Sequence, residues 1–265
     1  QQFENALNGI AGVQEIRDTL ASAKTDATTF ERISTQARVG YIVNPYITIP
    51  GLLSIDIFTA SGVQYHVGET LNFTNVRRDV LARLEAEALA ADRSVIWSGV
   101  EPNINADSRY QQVITAASIL TETDAQTLQP KPIATMILSY DPAALAQSIL
   151  YSDLLPGRVL LVMDRDARFV IHPDPAAIGT TADPGLVALA NAPNSKDEIP
   201  FRVSQYIAHT QLEPYTGWQM IFLTPTSVVN ASSQSILQAT LGAMLVSFIV
   251  IILSALSIQH FVVTP

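Results

Sequence analysis

Cysteine is absent from this 265-residue chain, which excludes disulfides and thiolate metal sites. Charge is scarce as well, at 15% of residues against 48% hydrophobic. The charge present leans acidic, with 15 basic and 24 acidic residues and a net charge of −9, which argues against a nucleic-acid partner. No Lys or Arg follows Arg202. Catalytic signatures are missing too: there is no Gly-x-Ser-x-Gly elbow, phosphate loop or His-Glu-x-x-His zinc motif. Of the four histidines, His260 sits in the apolar C-terminal stretch. His66, His172 and His209 alternate with apolar residues in strand-like segments. No enzymatic role and no cofactor are expected for this chain.

What the sequence does have is a long apolar run. Residues 239–258 contain no charged side chain, and at about 1.5 Å per residue they match the roughly 30 Å hydrocarbon core of a bilayer. A membrane span over about 239–260 is the expectation. The small-residue stretch from Asn230 to Ser233 leaves a lipid-anchor signal as the alternative. The chain starts at Gln1 and stops at Pro265 just past the run, so both ends are expected to be cuts in a longer protein.

Periodicity organises the rest. Phe3, Leu7, Ile10, Val13, Ile16 and Leu20 form one helical stripe, predicting a long helix to about Ala23. A second helix is predicted from Thr28 to Val39, before Asn44 and Pro45. Leu52–Phe58 and Val63–Val67 read as a hairpin around Ala60, Ser61 and Gly62. A helix over Arg77–Ala90 and strands at Ser94–Ser98, Val113–Leu120 and Ile133–Tyr140 follow. Asp141 and Pro142 then open another helix. The pattern restarts with strands at Val159–Met163 and Arg168–His172, a short helix near Leu186, and strands at Phe201–Thr210 and Trp218–Leu223. A helix from Thr226 then runs into the apolar segment. The fold class is α+β: an N-terminal helical stalk (1–43), one antiparallel-sheet lobe (44–150), a related lobe (151–225), and an exit helix with the span (226–265).

This arrangement resembles the double Cache sensor, the two-lobed, PAS-like extracytoplasmic module of bacterial chemoreceptors, sensor kinases and diguanylate cyclases. Four stretches carry the resemblance: Leu53–Gly62, Ile137–Leu145, Leu161–Asp174 with Ile178 and Gly179, and Tyr215–Trp218 with Pro225. Phe261–Pro265 resembles the entry to a HAMP relay. The resemblance implies a span ahead of the first helix, a homodimer, a small-molecule ligand in the membrane-distal lobe, and a signalling output beyond residue 265. An anchored binding or adhesion domain without signalling is the alternative.

Trp97 fits the family's pocket tryptophan, with Arg93, Tyr110 and Tyr65 as neighbours; an ordinary packed aromatic is the competing reading. The amino-acid-binding subset places an Arg two residues before that Trp, an aromatic after it, and an amine-binding Asp on the closing strand. Here Val95, Ser98 and Ser139 stand in those places. Ser139 is therefore a candidate ligand contact, and binding of amino acids by that ionic mode is not expected. The acidic group Asp164, Asp166, His172 and Asp174 reads as turn residues rather than a metal site. The triplets at Asn72 and Asn230 are chance glycosylation matches.

Overall fold

The computed structural model describes residues 2–23, 27–70, 73–124, 126–150, 158–191, 198–201, 204–227 and 238–250. The N-terminal stripe forms two helices rather than one, α1 (Gln2–Gly12) and α2 (Gln14–Ala21). Val13 adopts an extended conformation between them, and its N–H turns back to Ile10 O. Gly12, a weak helix former, precedes this break. The stripe still buries Leu7, Ile10, Ile16 and Leu20. α3 (Thr29–Val43) begins with a capping box in which Thr28 and Glu31 satisfy each other's backbone N–H. It ends where Asn44 and Pro45 start a 3₁₀ turn.

The first sheet follows: β1 (Leu52–Thr59), β2 (Gln64–Gly68), β3 (Ile96–Pro102), β4 (Gln112–Thr123) and β5 (Pro130–Tyr140), with α4 (Arg78–Ala90) between β2 and β3. Its order is β2-β1-β5-β4-β3, antiparallel throughout. Gly62 takes the positive φ that the β1–β2 turn requires. Asp141 accepts from Ala143 N at the start of α5 (Pro142–Leu150), as its N-cap position predicts.

The second sheet repeats that order as β7-β6-β10-β9-β8. Its strands are β6 (Val159–Met163), β7 (Phe169–Ile171), β8 (Glu198–Phe201), β9 (Ser204–Leu212) and β10 (Gln219–Pro225), with α6 (Pro184–Asn191) after β7. The single strand predicted at Phe201–Thr210 is instead the meeting of β8 and β9, which pair from Phe201–Ser204 outward. The sequence shows no Gly or Pro at that reversal.

One apolar cluster runs through both lobes. It joins Leu7, Ile16, Val39 and Val43 of the helices, Ile55, Ile57, Met136 and Leu138 of the first sheet, and Leu160, Val162 and Ile171 of the second. Residues 238–250 are helical, with Leu241, Met244, Leu245 and Phe248 exposed. Among the described residues no helix is long and apolar enough to cross a membrane. The remainder of the expected span, 251–260, Asn72 itself and the Asn230 triplet lie outside the described residues.

Candidate functional site

The two faces of the first sheet differ in chemistry. Alternate residues of β1 and β5 (Ile55, Ile57, Met136, Leu138) face the N-terminal helices. On the other face, Phe58, Ala117 and Ile137 pack against Val80, Leu81 and Leu84 of α4. Strand alternation places Ser54 and Asp56 of β1, Thr115 of β4, and Thr135 and Ser139 of β5 on this α4 face, all buried.

Asp56 is fully buried and accepts from Ser54 Oγ at 2.7 Å and from His66 Nδ1 at 2.5 Å. His66 lies directly across the β1–β2 ladder, so the hairpin register makes this pair. The other ring nitrogen, Nε2, lies 3.0 Å from Thr70 O. Thr70 Oγ1 lies 3.3 Å from the same nitrogen. The doubly protonated ring therefore donates to Asp56 and to the Thr70 carbonyl, while the neutral ring keeps Asp56 and accepts from the Thr70 hydroxyl. Burial favours neutral His66, but the Asp56 hydrogen bond and charge, the Thr70 carbonyl and Glu69 together outweigh it and raise its pKa. Phe73 stacks on the His66 ring at 4.6 Å.

Two loops latch over this face. Asn105 Nδ2 donates to Thr70 Oγ1 (2.9 Å), Ser108 Oγ to Glu69 Oε1 (2.5 Å), and Arg77 Nη1 to Asn103 O (2.8 Å). At the β1–β5–β4 centre, Ser139 sits opposite both Ser54 and Thr115. Its hydroxyl is fully buried and has no hydrogen-bond partner. A buried hydroxyl is ordinarily paired, so Ser139 is an unused donor and acceptor inside a polar patch.

The five residues expected from sequence do not gather in one place. Ser139 belongs to the patch just described. Tyr65 projects from β2 to the opposite face, where burial raises its pKa. Tyr110 lies in the covering loop: its carbonyl accepts from Asn103 Nδ2, and Arg109 stacks on its ring at 4.8 Å. Trp97 and Arg93 sit at the lobe junction. Trp97 meets Trp218 edge to face at 6.1 Å, and Arg93 donates to the carbonyls of Tyr215 and Pro214. A one-residue phase explains Trp97: Ile96 shares the α4 face, so Trp97 points away from it. Sequence reasoning missed Asp56 and His66. The signal was present, an Asp and a His equidistant from the turn at Ala60–Gly62 on strands with buried neighbours.

Asp164 acts as the turn residue expected. Its carboxylate accepts from Asp166 N, Arg168 N and Arg168 Nε, within 2.9–3.1 Å. Among the described residues no group of acidic and histidine side chains is arranged to hold a metal.

No family model matches the sequence, and no curated protein matches it in sequence. Solved structures do match in fold. The ligand-binding domain of the Campylobacter jejuni chemoreceptor Tlp3 with L-norvaline aligns at TM-score 0.56 and 11% identity, covering 85% of this chain and 90% of that one. That of Pseudomonas fluorescens CtaA with L-isoleucine aligns at 0.54 and 10%, covering 87% and 90%. That of Pseudomonas aeruginosa PctB with L-Arg aligns at 0.53 and 13%, covering 92% and 94%. The chain has the fold of the Cache-type ligand-binding domains of bacterial chemoreceptors.

Proposed function

We propose that this chain is the extracytoplasmic small-molecule sensing domain of a membrane signalling receptor, with the ligand held on the α4 face of the first lobe. The supporting observation is the buried polar patch around Ser139, whose hydroxyl has no protein partner. Folding gains nothing from an unmatched buried hydroxyl, whereas a ligand that hydrogen-bonds to it does. The role is binding rather than catalysis.

The stalk is residues 1–43, the membrane-distal lobe 44–150, the proximal lobe 151–225, and the membrane segment lies within 226–265. The receptor works as a homodimer. Phe30, Ile33 and Tyr41 lie exposed at helical spacing on α3 and supply an apolar strip for the partner copy. Ligand binding shifts a two-state equilibrium of the first lobe, and the exit helix carries the change across the membrane.

The fold neighbours were solved with L-norvaline, L-isoleucine and L-Arg. For this chain we favour a polar ligand that is not held as a zwitterion. Val95 is buried in the apolar core and Ser139 is neutral. The buried carboxylates on the face are already paired, Asp56 with His66 and Glu101 with the exposed Arg83. A zwitterion's amine would find no unmatched acid buried on the face. Arg77, which has no carboxylate partner among the described residues, is already held by Asn103 O and Gln111 Oε1.

The test is a thermal-shift screen of the full chain in detergent micelles against organic acids, amines, amino acids, purines and sugars. A ligand at a hundred times its Kd stabilises by about 2.7 kcal/mol. The reading requires a hit that disappears in Ser139→Val, which removes the hydroxyl, with circular dichroism unchanged. No hit from a folded protein would favour the anchored binding or adhesion domain instead.

A further inference from the structure

A cleft of about 430 Å³ opens where the two lobes meet, beside the edge strand of the first sheet. It is lined by Trp97 and Ser98 of β3, Arg83 and Glu87 of α4, Arg165 of the β6–β7 turn, and Trp218 just before β10. Both tryptophans of the chain are therefore here. Close backbone approach builds the junction: a Cβ on Gly99, at the β3 bulge, would overlap Asp164 of the second lobe.

Most charges in the cleft are matched. Arg83 pairs with Glu87 and Glu101, and Asp164 and Asp166 share Arg168. Arg165 gives its Nε to Thr216 O at 3.0 Å and, among the described residues, has no carboxylate partner. Trp218 is 8% exposed, and its indole N–H finds no acceptor. Buried indole N–H groups ordinarily have one.

We propose that this cleft is a second binding site, for a small aromatic carboxylate. The ring packs on Trp97, and the carboxylate accepts from Trp218 Nε1 and the Arg165 guanidinium. The volume falls within the roughly 300–1,000 Å³ of small-molecule pockets. A molecule held there touches β3 and α4 on one side and the β6–β7 turn and Trp218 on the other. It therefore sets how the lobes sit against each other, independently of the patch around Ser139.

Because no tryptophan lies elsewhere, the chain's own tryptophan emission reads this cleft alone. The experiment is a fluorescence titration of the full chain in detergent micelles with benzoate, benzamide and benzylamine. Benzoate produces a saturable change, benzamide a weaker one and benzylamine none. Arg165→Met weakens benzoate by about tenfold, the size of one charge-assisted hydrogen bond. Trp218→Phe, read through Trp97, keeps the ring and loses the donor, and also weakens it. Ser139→Val leaves it unchanged. A response that does not saturate, or one that keeps the native chain's affinity in both cleft variants, overturns the proposal. So does one lost in Ser139→Val but kept in Arg165→Met, which would move benzoate to the first lobe.

Discussion

The two sheets have the same strand order but bury different chemistry. Under α6, the second sheet presents Leu161, Met163, Phe169, Ala208, Ile221 and Leu223, an apolar face among the described residues. Under α4, the corresponding face of the first sheet buries Ser54, Asp56, Thr115, Thr135 and Ser139 among its apolar residues. Topology therefore says little about which lobe binds. The contents of the helix-covered face say more, because buried polar groups weaken a core unless every one is satisfied.

The largest expected effect comes from breaking the polar face at its centre. Asp56→Ala leaves His66 without its carboxylate and should destabilise by about 3–5 kcal/mol in urea unfolding. Leu161→Ala, the matching probe of the second face, should lose about 3 kcal/mol through a simple cavity. The comparison sharpens if only the first of these losses depends on pH. It breaks if Asp56→Ala is mild.

Smaller is the pH effect. The folded-state pKa of His66 is raised, so its contribution is complete below the ordinary value of 6.5 and is lost as pH rises through the folded value. The stability gap between the native chain and His66→Gln should be wider at about pH 6 than at about pH 9. A gap that widens with rising pH would refute the ion pair. The smallest effect is expected at Ser139. Ser139→Ala removes a hydroxyl that has no partner, so it should change stability by less than about 1 kcal/mol in either direction while reducing ligand binding. A large loss of stability would mean that the hydroxyl serves folding.

Much of the fold was legible in the sequence. The hairpin at Ala60–Gly62, the Asp141 cap and the restart at Val159 were local signals, and the strands and helix they announce are present. The break at Val13 was hidden because the apolar stripe continues across it in phase. The β8–β9 reversal lacked turn residues. The site was less legible, because single-sequence reading fixes a strand's existence better than its phase. One residue of phase separates Trp97 at the lobe junction from Ile96 on the α4 face. Asp56 and His66 become a pair only when the hairpin register is known. Ser139 becomes informative only when its lack of a partner is seen.

The most direct measurement is hydrogen exchange of the full chain, free and saturated with the stabilising ligand from the screen. Ligand should protect amides of β1, β2, β4 and β5 and of the covering loops 73–77 and 102–111, while the second sheet, 159–171 and 204–225, keeps its free-state rates. Protection concentrated in the second sheet, with the first unchanged, would contradict the assignment of sensing to the polar face.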